Sequence, residues 1–286
     1  MCMICNIEDC QYNKDACCTL ELFQDSEICR QNRKIQDRAL PDLKIDRAFD
    51  SNDLIALEIN TASKGQQKKW VTKDSRIFIK ERFYYQCRFW NDPLVEVIGS
   101  KVCEDLGIDH QEYKLCTVDG RLACCSTLNS DKLITFDKLD KKKLVYEYAG
   151  IDRLQYVVSA IEYHTGCTPV QFLADMTLVD FIIGNEDRHF RNFGITGDRK
   201  LYPLFDFGLG LFEHDYIYDE LGLEQAIPKM NKQPFHDWDL VLNYFASCGC
   251  LRTGKIDLTG YAIPSDLGRQ YLKYSCRKVG IDLCGI

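Results

Sequence analysis

Asp187, Asn192 and Asp206 are the residues of this chain whose types and spacing could do chemistry together. The first two stand five apart in N-E-D-R-H-F-R-N-F-G (185–194), and the third opens the tripeptide Asp206-Phe207-Gly208, fourteen residues after Asn192. An Asp set against a hydroxyl takes or orients its proton. An Asn and a second Asp offer the hard oxygen ligands that Mg2+ or Mn2+ prefers. These are the groups needed to move a phosphoryl group from a nucleoside triphosphate to a hydroxyl. A polar loop capping a helix and a hairpin would account for either half of the pattern. It would not account for the order, the interval and the tripeptide together.

The Asp-to-Asn interval matches the catalytic loop of kinases, and D-F-G is their metal-binding tripeptide. Such chemistry also needs a cation for the nucleotide phosphates. Lys80 closes the alternating stretch RIFIK (76–80), a strand by its period and its β-branched residues. A carboxylate must hold that lysine, and Glu96 lies in the following helix. That helix is bounded by Asp92 as cap, Pro93 in the first turn and Gly107 at its end, with Leu94, Val95, Ile98, Val102 and Leu106 as its apolar face. Read without the downstream motif, Lys80 is an ordinary strand-end lysine. Upstream, Ser63, Lys64 and Gly65 lie in NTASKGQQKKW (60–70), a loop able to offer backbone N–H groups to phosphates or to serve as a plain hairpin turn. Glu147 and Tyr148, in the strand-like KLVYEYA (143–149), are placed as the hinge whose backbone reads adenine.

Around these residues the pattern is strand-rich from about 50 to 150 and helical beyond. HTGCTPVQFLADMTLVDFIIGN reads as a buried helix with Thr168 as N-cap, Pro169 at its first position and Gln171 placed for a capping box. Gly197-Asp198 marks a hairpin between NFGIT and KLYPLFDFG, and further helices are expected near 236–248 and 264–279. The expectation is an α+β fold of two lobes: residues 41–150 and 151–286, preceded by a cysteine-rich segment and linker over 1–40.

The chain has 286 residues and a formal charge of −7, which argues against nucleic-acid binding as its main role. No apolar run approaches a membrane span, and the N-terminus lacks the pattern of a signal peptide. A cytoplasmic location and reduced thiols are therefore expected for most of its 16 cysteines. Six of these fall within the first 29 residues. Cys5, Cys10, Cys17 and Cys29 have spacings that let thiolates converge on Zn2+, with Cys2 and Cys18 as substitutes. Reduced cysteines without metal are the alternative, and disulfides a third. The stretch ICNIEDCQYNKDAC resembles a small cysteine-rich domain of unknown function from clostridial bacteria.

N-E-D-R-H-F-R-N-F-G resembles the N-x-D-x-H-x-x-N loop of HipA-like serine/threonine kinases, and is similar to the D-R-H-x-x-N loop of phosphatidylinositol 3/4-kinases. YPLFDFG fits both. Glu96 in a helix ending Leu106-Gly107-Ile108, and Gln233-Pro234-Phe235-His236, also resemble HipA-like segments. The likeness spans roughly residues 55–260. It implies a kinase fold with ATP and Mg2+, Asp187 as catalytic base, Asn192 and Asp206 as metal ligands and Lys80 on the phosphates. His189, at the nucleotide side, and Arg188 would support the loop by hydrogen bonds. Ser63 is the implied site of self-phosphorylation. HipA toxins carry an N-terminal subdomain where this sequence has its cysteine cluster, so a DNA-bound antitoxin partner is not carried over.

The first reading is a protein serine/threonine kinase with a hydroxyl-bearing protein as acceptor, acting on neither membrane nor nucleic acid. A lipid or small-molecule kinase is the second. A non-catalytic module that binds nucleotide as a switch is the third.

Overall fold

The computed structural model describes residues 43–57, 67–82, 90–129, 131–213, 216–218 and 220–286, together with the backbone of short strands at 3–4, 13–14, 17–18, 84–85 and 88–89. Six strands make one sheet: β1 (Arg47–Phe49), β2 (Leu54–Ala56), β3 (Lys69–Thr72), β4 (Ile77–Glu81), β5 (Lys114–Val118) and β6 (Arg121–Thr127). Their spatial order is β1-β5-β6-β4-β3-β2, antiparallel throughout except where β1 runs parallel to β5.

Period-two alternation along β4 decides what each side chain faces. Ile79 joins Leu54, Cys116, Val118, Ala123 and Cys125 in a small apolar cluster. Lys80 points the other way, toward helix α1 (Asp92–Asp105). Pro93 fits the first turn of α1 because no N–H is needed there. Leu94, Val95, Ile98 and Val102 bury as the sequence pattern requires, while the cap position falls to Asn91, one residue before the expected Asp92.

Helices carry the second half: α2 (Phe136–Leu139), α3 (Gly150–Thr165), α4 (Val170–Ile183), α5 (Leu223–Ala226), α6 (Trp238–Ser247) and α7 (Asp266–Val279). Every residue of α4 from Leu173 to Ile183 is buried, and α1, α6 and α7 pack around it. The α+β expectation holds, and so do the helices expected near 236–248 and 264–279.

Three expectations need correction. KLVYEYA is not a strand: Leu144–Glu147 is a 3-10 turn and the chain runs on into α3. The cause is Asp140, whose carboxylate accepts the backbone N–H groups of Leu144 and Val145 and so curls the chain. At the start of α4, Pro169 rather than Thr168 holds the cap position. Gln171 makes no capping box there, but reaches Asp175 Oδ1 and the Cys250 carbonyl. The passage from sheet to helical half also comes before 150. Strand β7 (Ile134–Thr135) already pairs with β8 (Gly194–Ile195), so residues 134–149 pack with the helices. After β8 the chain turns as expected, with Ile195 bridging Leu201 and Thr196 N–H donating to the Lys200 carbonyl. Strands β9 (Lys255–Asp257) and β10 (Asp282–Cys284) form a parallel pair near the C-terminus.

Candidate active site

Sheet and helices meet at Lys80. Its Nζ lies 2.6 Å from Glu96 Oε1 and 2.5 Å from Asp206 Oδ1, and its side chain is almost wholly buried. The Tyr113 ring closes a further side, with its centroid 5.7 Å from Nζ. Glu96 sits one turn into α1, so helix packing fixes its height against β4. Its second oxygen accepts the Phe207 backbone N–H at 2.8 Å.

The D-F-G tripeptide is seated by fit. Phe207 is fully buried against α1 at Gly99, where an added Cβ would stand 2.5 Å from the Phe207 Cγ. Tyr113 meets the Phe207 ring edge-on at 6.2 Å. Asp206 adopts a left-handed backbone (φ 64°), a conformation that non-glycine residues hold only where the surroundings enforce it. At Gly208 a Cβ would come within 3.1 Å of Glu96 Oε1.

The loop after α4 is built from the helix outward. Gly184 ends α4 in the left-handed conformation (φ 62°). Arg188 then turns back into the core and is fully buried. Its guanidinium takes both oxygens of Asp180 at 2.8 and 2.9 Å, and donates to the carbonyls of Asn192 and Phe205. Asn185 bonds Asp180 Oδ1 at 2.8 Å and reaches the Asp206 carbonyl at 3.3 Å. One buried ion pair thus ties the end of α4, the 185–192 loop and the chain entering D-F-G.

The three residues singled out by spacing are brought to this frame. Asn192 donates its amide N–H to the Asp187 carbonyl at 3.0 Å, a bond that does not engage its Oδ1. The side chain of Asp187 is 48% exposed and that of Asp206 36%, so both reach solvent from a buried scaffold. His189 supports the loop: Nδ1 accepts the Arg191 N–H at 3.3 Å, and Nε2 lies 3.8 Å from Asp187 Oδ2. Glu186 turns inward to the Tyr218 hydroxyl and the Asn231 N–H.

Charge sets the protonation states. Burial alone would raise the Asp206 carboxyl, but the charge and hydrogen bond of Lys80, with Lys69 and Arg188, hold it well below the usual carboxylate range. Burial likewise opposes the Lys80 charge, and Asp206 and Glu96 outweigh it, so Lys80 stays cationic. Burial pushes the Glu96 carboxyl up against the pull of Lys80.

One carboxylate and one amide oxygen suit a hard cation such as Mg2+. Among the described residues no group of three or more His, Cys, Asp or Glu side chains could hold a metal by itself. The fit is therefore to a metal that takes its remaining ligands from phosphate oxygens and water.

Other expected site residues fall elsewhere. Ser63, Lys64 and Gly65 lie outside the described residues; the flanking β2 and β3 are antiparallel neighbours. Cys5, Cys10 and Cys29 also lie outside them, and Cys17 is described as backbone only. Glu147 and Tyr148 do not form an extended hinge but sit exposed in the turn before α3, with the Tyr148 carbonyl taken by Arg153 Nε. The strand beside β4 ends at Thr127, and the next strand, β7, pairs with β8 rather than with this sheet. A cavity of about 480 Å3, lined by Phe212, Glu213, Tyr218, Leu221, residues 263–267 and Gln270, contains none of the expected residues.

Sequence reasoning missed Asp180, Asn185, Tyr113 and Lys69. Asp180 had a signal, as a carboxylate within the apolar run of α4. Lys69 is the cross-strand partner of Lys80 on the same face, and burial together with the Lys80 charge pushes its pKa down. Only the strand register reveals it.

No protein-family model and no curated protein matches the sequence. Solved structures are similar to it, and two of them illustrate the likeness. One is the Helicobacter pylori proinflammatory kinase CtkA, at 18% identity and TM-score 0.47, with 64% of this chain and 66% of that one covered. The other is HipA in the Shewanella oneidensis MR-1 toxin–antitoxin complex with HipB and operator DNA, at 13% identity and TM-score 0.38, with 92% and 74% covered.

Proposed function

We propose that this chain is an ATP-dependent phosphotransferase that passes a phosphoryl group to a hydroxyl, most simply a serine or threonine of a protein. The observation that carries the reading is the position of Lys80, held by Glu96 on α1 and by the aspartate of D-F-G. A buried lysine with two carboxylates has no stabilising advantage over apolar packing, which points to use rather than structure.

Lys80 binds phosphate oxygens, and Lys69 beside it adds a second cation at the mouth of the same face. Asp206 and Asn192 hold Mg2+, which when bound neutralises charge on the transferring group. Asp187 accepts or orients the proton of the acceptor hydroxyl. Glu96 keeps Lys80 and the Phe207 backbone in register, and Arg188 fixes the spacing of the two loops. Residues 128–129 and 131–133, between the strand next to β4 and β7, take the place of Glu147 and Tyr148 as the segment that meets adenine. The two-lobed division is retained with the crossing at these residues, and Ser63 as the self-modified position.

For residues 1–40 we keep the zinc reading, with Cys5, Cys10, Cys17 and Cys29 as ligands. The described cysteines are free thiols, as a reducing cytoplasm would keep them. No helix among the described residues is long and apolar enough to cross a membrane.

The test is purified protein with Mg2+ and γ-labelled ATP, alone and with a generic protein acceptor, beside Asp187→Ala. Label on protein from the wild type alone supports the reading. Bound ATP with no transfer to protein, lipid or small-molecule acceptors would replace it with a nucleotide-sensing module.

A further inference from the structure

Beside the catalytic loop the surface changes sign. The chain carries −7 in all, yet Lys138, Lys141, Lys142 and Lys143 stand exposed within six positions, and Arg191 is exposed in the loop itself. None of these five makes a salt bridge or side-chain hydrogen bond among the described residues. Asp140, the one carboxylate inside the run, is buried. It is committed to the N–H groups of Leu144 and Val145 and to the Tyr156 hydroxyl. The turn it caps throws the three consecutive lysines outward, with Lys143 itself left-handed at φ 55°.

The same segment is fastened to the loop that carries Asp187 and Asn192. Phe136 N–H donates to the Phe193 carbonyl at 2.9 Å, and Asp137 N–H to the Phe190 carbonyl at 3.0 Å. The Phe136 ring stacks on Phe193 at 5.6 Å, and Tyr146 stands edge-on to Phe190 at 5.6 Å. Phe190 is three residues beyond Asp187, so the lysine run and the proton-accepting aspartate share one shoulder. Tyr146 and Tyr148, 60% and 41% exposed, add aromatic ground beside the cations.

We propose that this shoulder docks an acidic peptide segment of the acceptor protein, so that the hydroxyl chosen is one with Asp or Glu near it in sequence. The proposal rests on the phosphotransferase reading and names its substrate class. The chemistry favours a peptide over a nucleic acid or an anionic bilayer. Those present negative charge over a broad face, and the exposed Asp131, Glu147 and Asp152 flanking the run would meet it. A peptide places its charge locally.

The test uses the full chain and two labelled peptides of equal length, one of Ser with Asp and Glu, the other of Ser with Lys. Fluorescence anisotropy reads binding to wild type, to K141A/K142A and to K141E/K142E, with thermal melting to check the fold. The acidic peptide should bind at least about tenfold more tightly than the basic one, and more weakly as salt rises. The charge-reversed variant should lose this preference, and the alanine variant part of it, with Mg2+·ATP binding unchanged in both. Equal binding of the two peptides, or a preference that survives K141E/K142E, overturns the proposal. So does displacement of the acidic peptide by phosphatidylserine vesicles or single-stranded RNA at lower concentrations than by unlabelled acidic peptide. Binding without phosphate transfer would count for the docking surface and against the phosphotransferase reading, which separates the two failures.

Discussion

Glu96 accepts the Phe207 backbone N–H at 2.8 Å through Oε2, while Oε1 pairs with Lys80 at 2.6 Å. One carboxylate therefore couples the lysine proposed to bind phosphate to the backbone of the tripeptide proposed to hold the metal. Glu96→Gln keeps a similar shape but removes the charge. It should lower Mg2+·ATP affinity and turnover by about tenfold or more, as loss of a buried charge partner does. Calorimetric titration with the nucleotide, beside a turnover assay, checks it.

Asp187 and Asp206 should separate cleanly. Asp187→Ala should lose at least about a hundredfold in transfer, the scale of a removed general base, with nucleotide binding kept. Asp206→Ala should weaken Mg2+·ATP binding itself. Wild-type turnover in Asp187→Ala would remove it from the role of base.

Omitting Mg2+ should stop transfer and leave the melting temperature of nucleotide-free protein unchanged, since the fold around Lys80 is closed by protein groups. A fall in melting temperature on chelation, traced to the first 40 residues by limited proteolysis, would instead register the proposed zinc site.

Arg188→Met should destabilise the protein by about 3–5 kcal/mol, the usual result of leaving one member of a buried pair alone. Asp180, with Asn185 attached, would remain as an unpaired carboxylate. Denaturant titration measures the loss, and an effect under about 1 kcal/mol would mean that the clamp does not organise the loop.

Acid should weaken the site in a defined window. The folded-state pKa of Asp206 is depressed, so its contribution to stability is present above its unfolded value of about 3.9 and fades as pH falls further. Lys80 is raised, so its contribution is present below about 10.4 and fades only at still higher pH. Glu96, raised by burial, has the opposite sign near pH 4, so the comparison must be made in the Glu96→Gln background. There, Asp206→Asn should flatten the acid limb of the unfolding profile; an unchanged limb would show that the Lys80–Asp206 pair contributes little.

Local sequence was legible where one residue type has one physical use. RIFIK announced a strand ending in Lys80, and Pro93 and the apolar spacing announced α1. It was illegible where a distant partner decides. KLVYEYA has strand-forming residues, but the Asp140 carboxylate curls it into a turn. Lys69 matters only through its register with Lys80, and Gly99 only because Phe207, over a hundred residues away, rests on it. The D-F-G motif could be read as a string. Its seat could not.

The Arg188 clamp reads main chain: it holds the carbonyls of Asn192 and Phe205, and its anchor lies inside α4. Of the side chains between those points, Asn185 joins the clamp at Asp180 Oδ1, and the exposed Arg191 does not enter it. Arg191, exposed on this loop, is consequently an interchangeable part on a fixed chassis, whereas Phe190 is buried against Phe136 and Phe193. On the proposed function, a lineage or an engineer can retune which acceptor is chosen at Arg191, while Asp187, Asn192 and Asp206 keep their spacing.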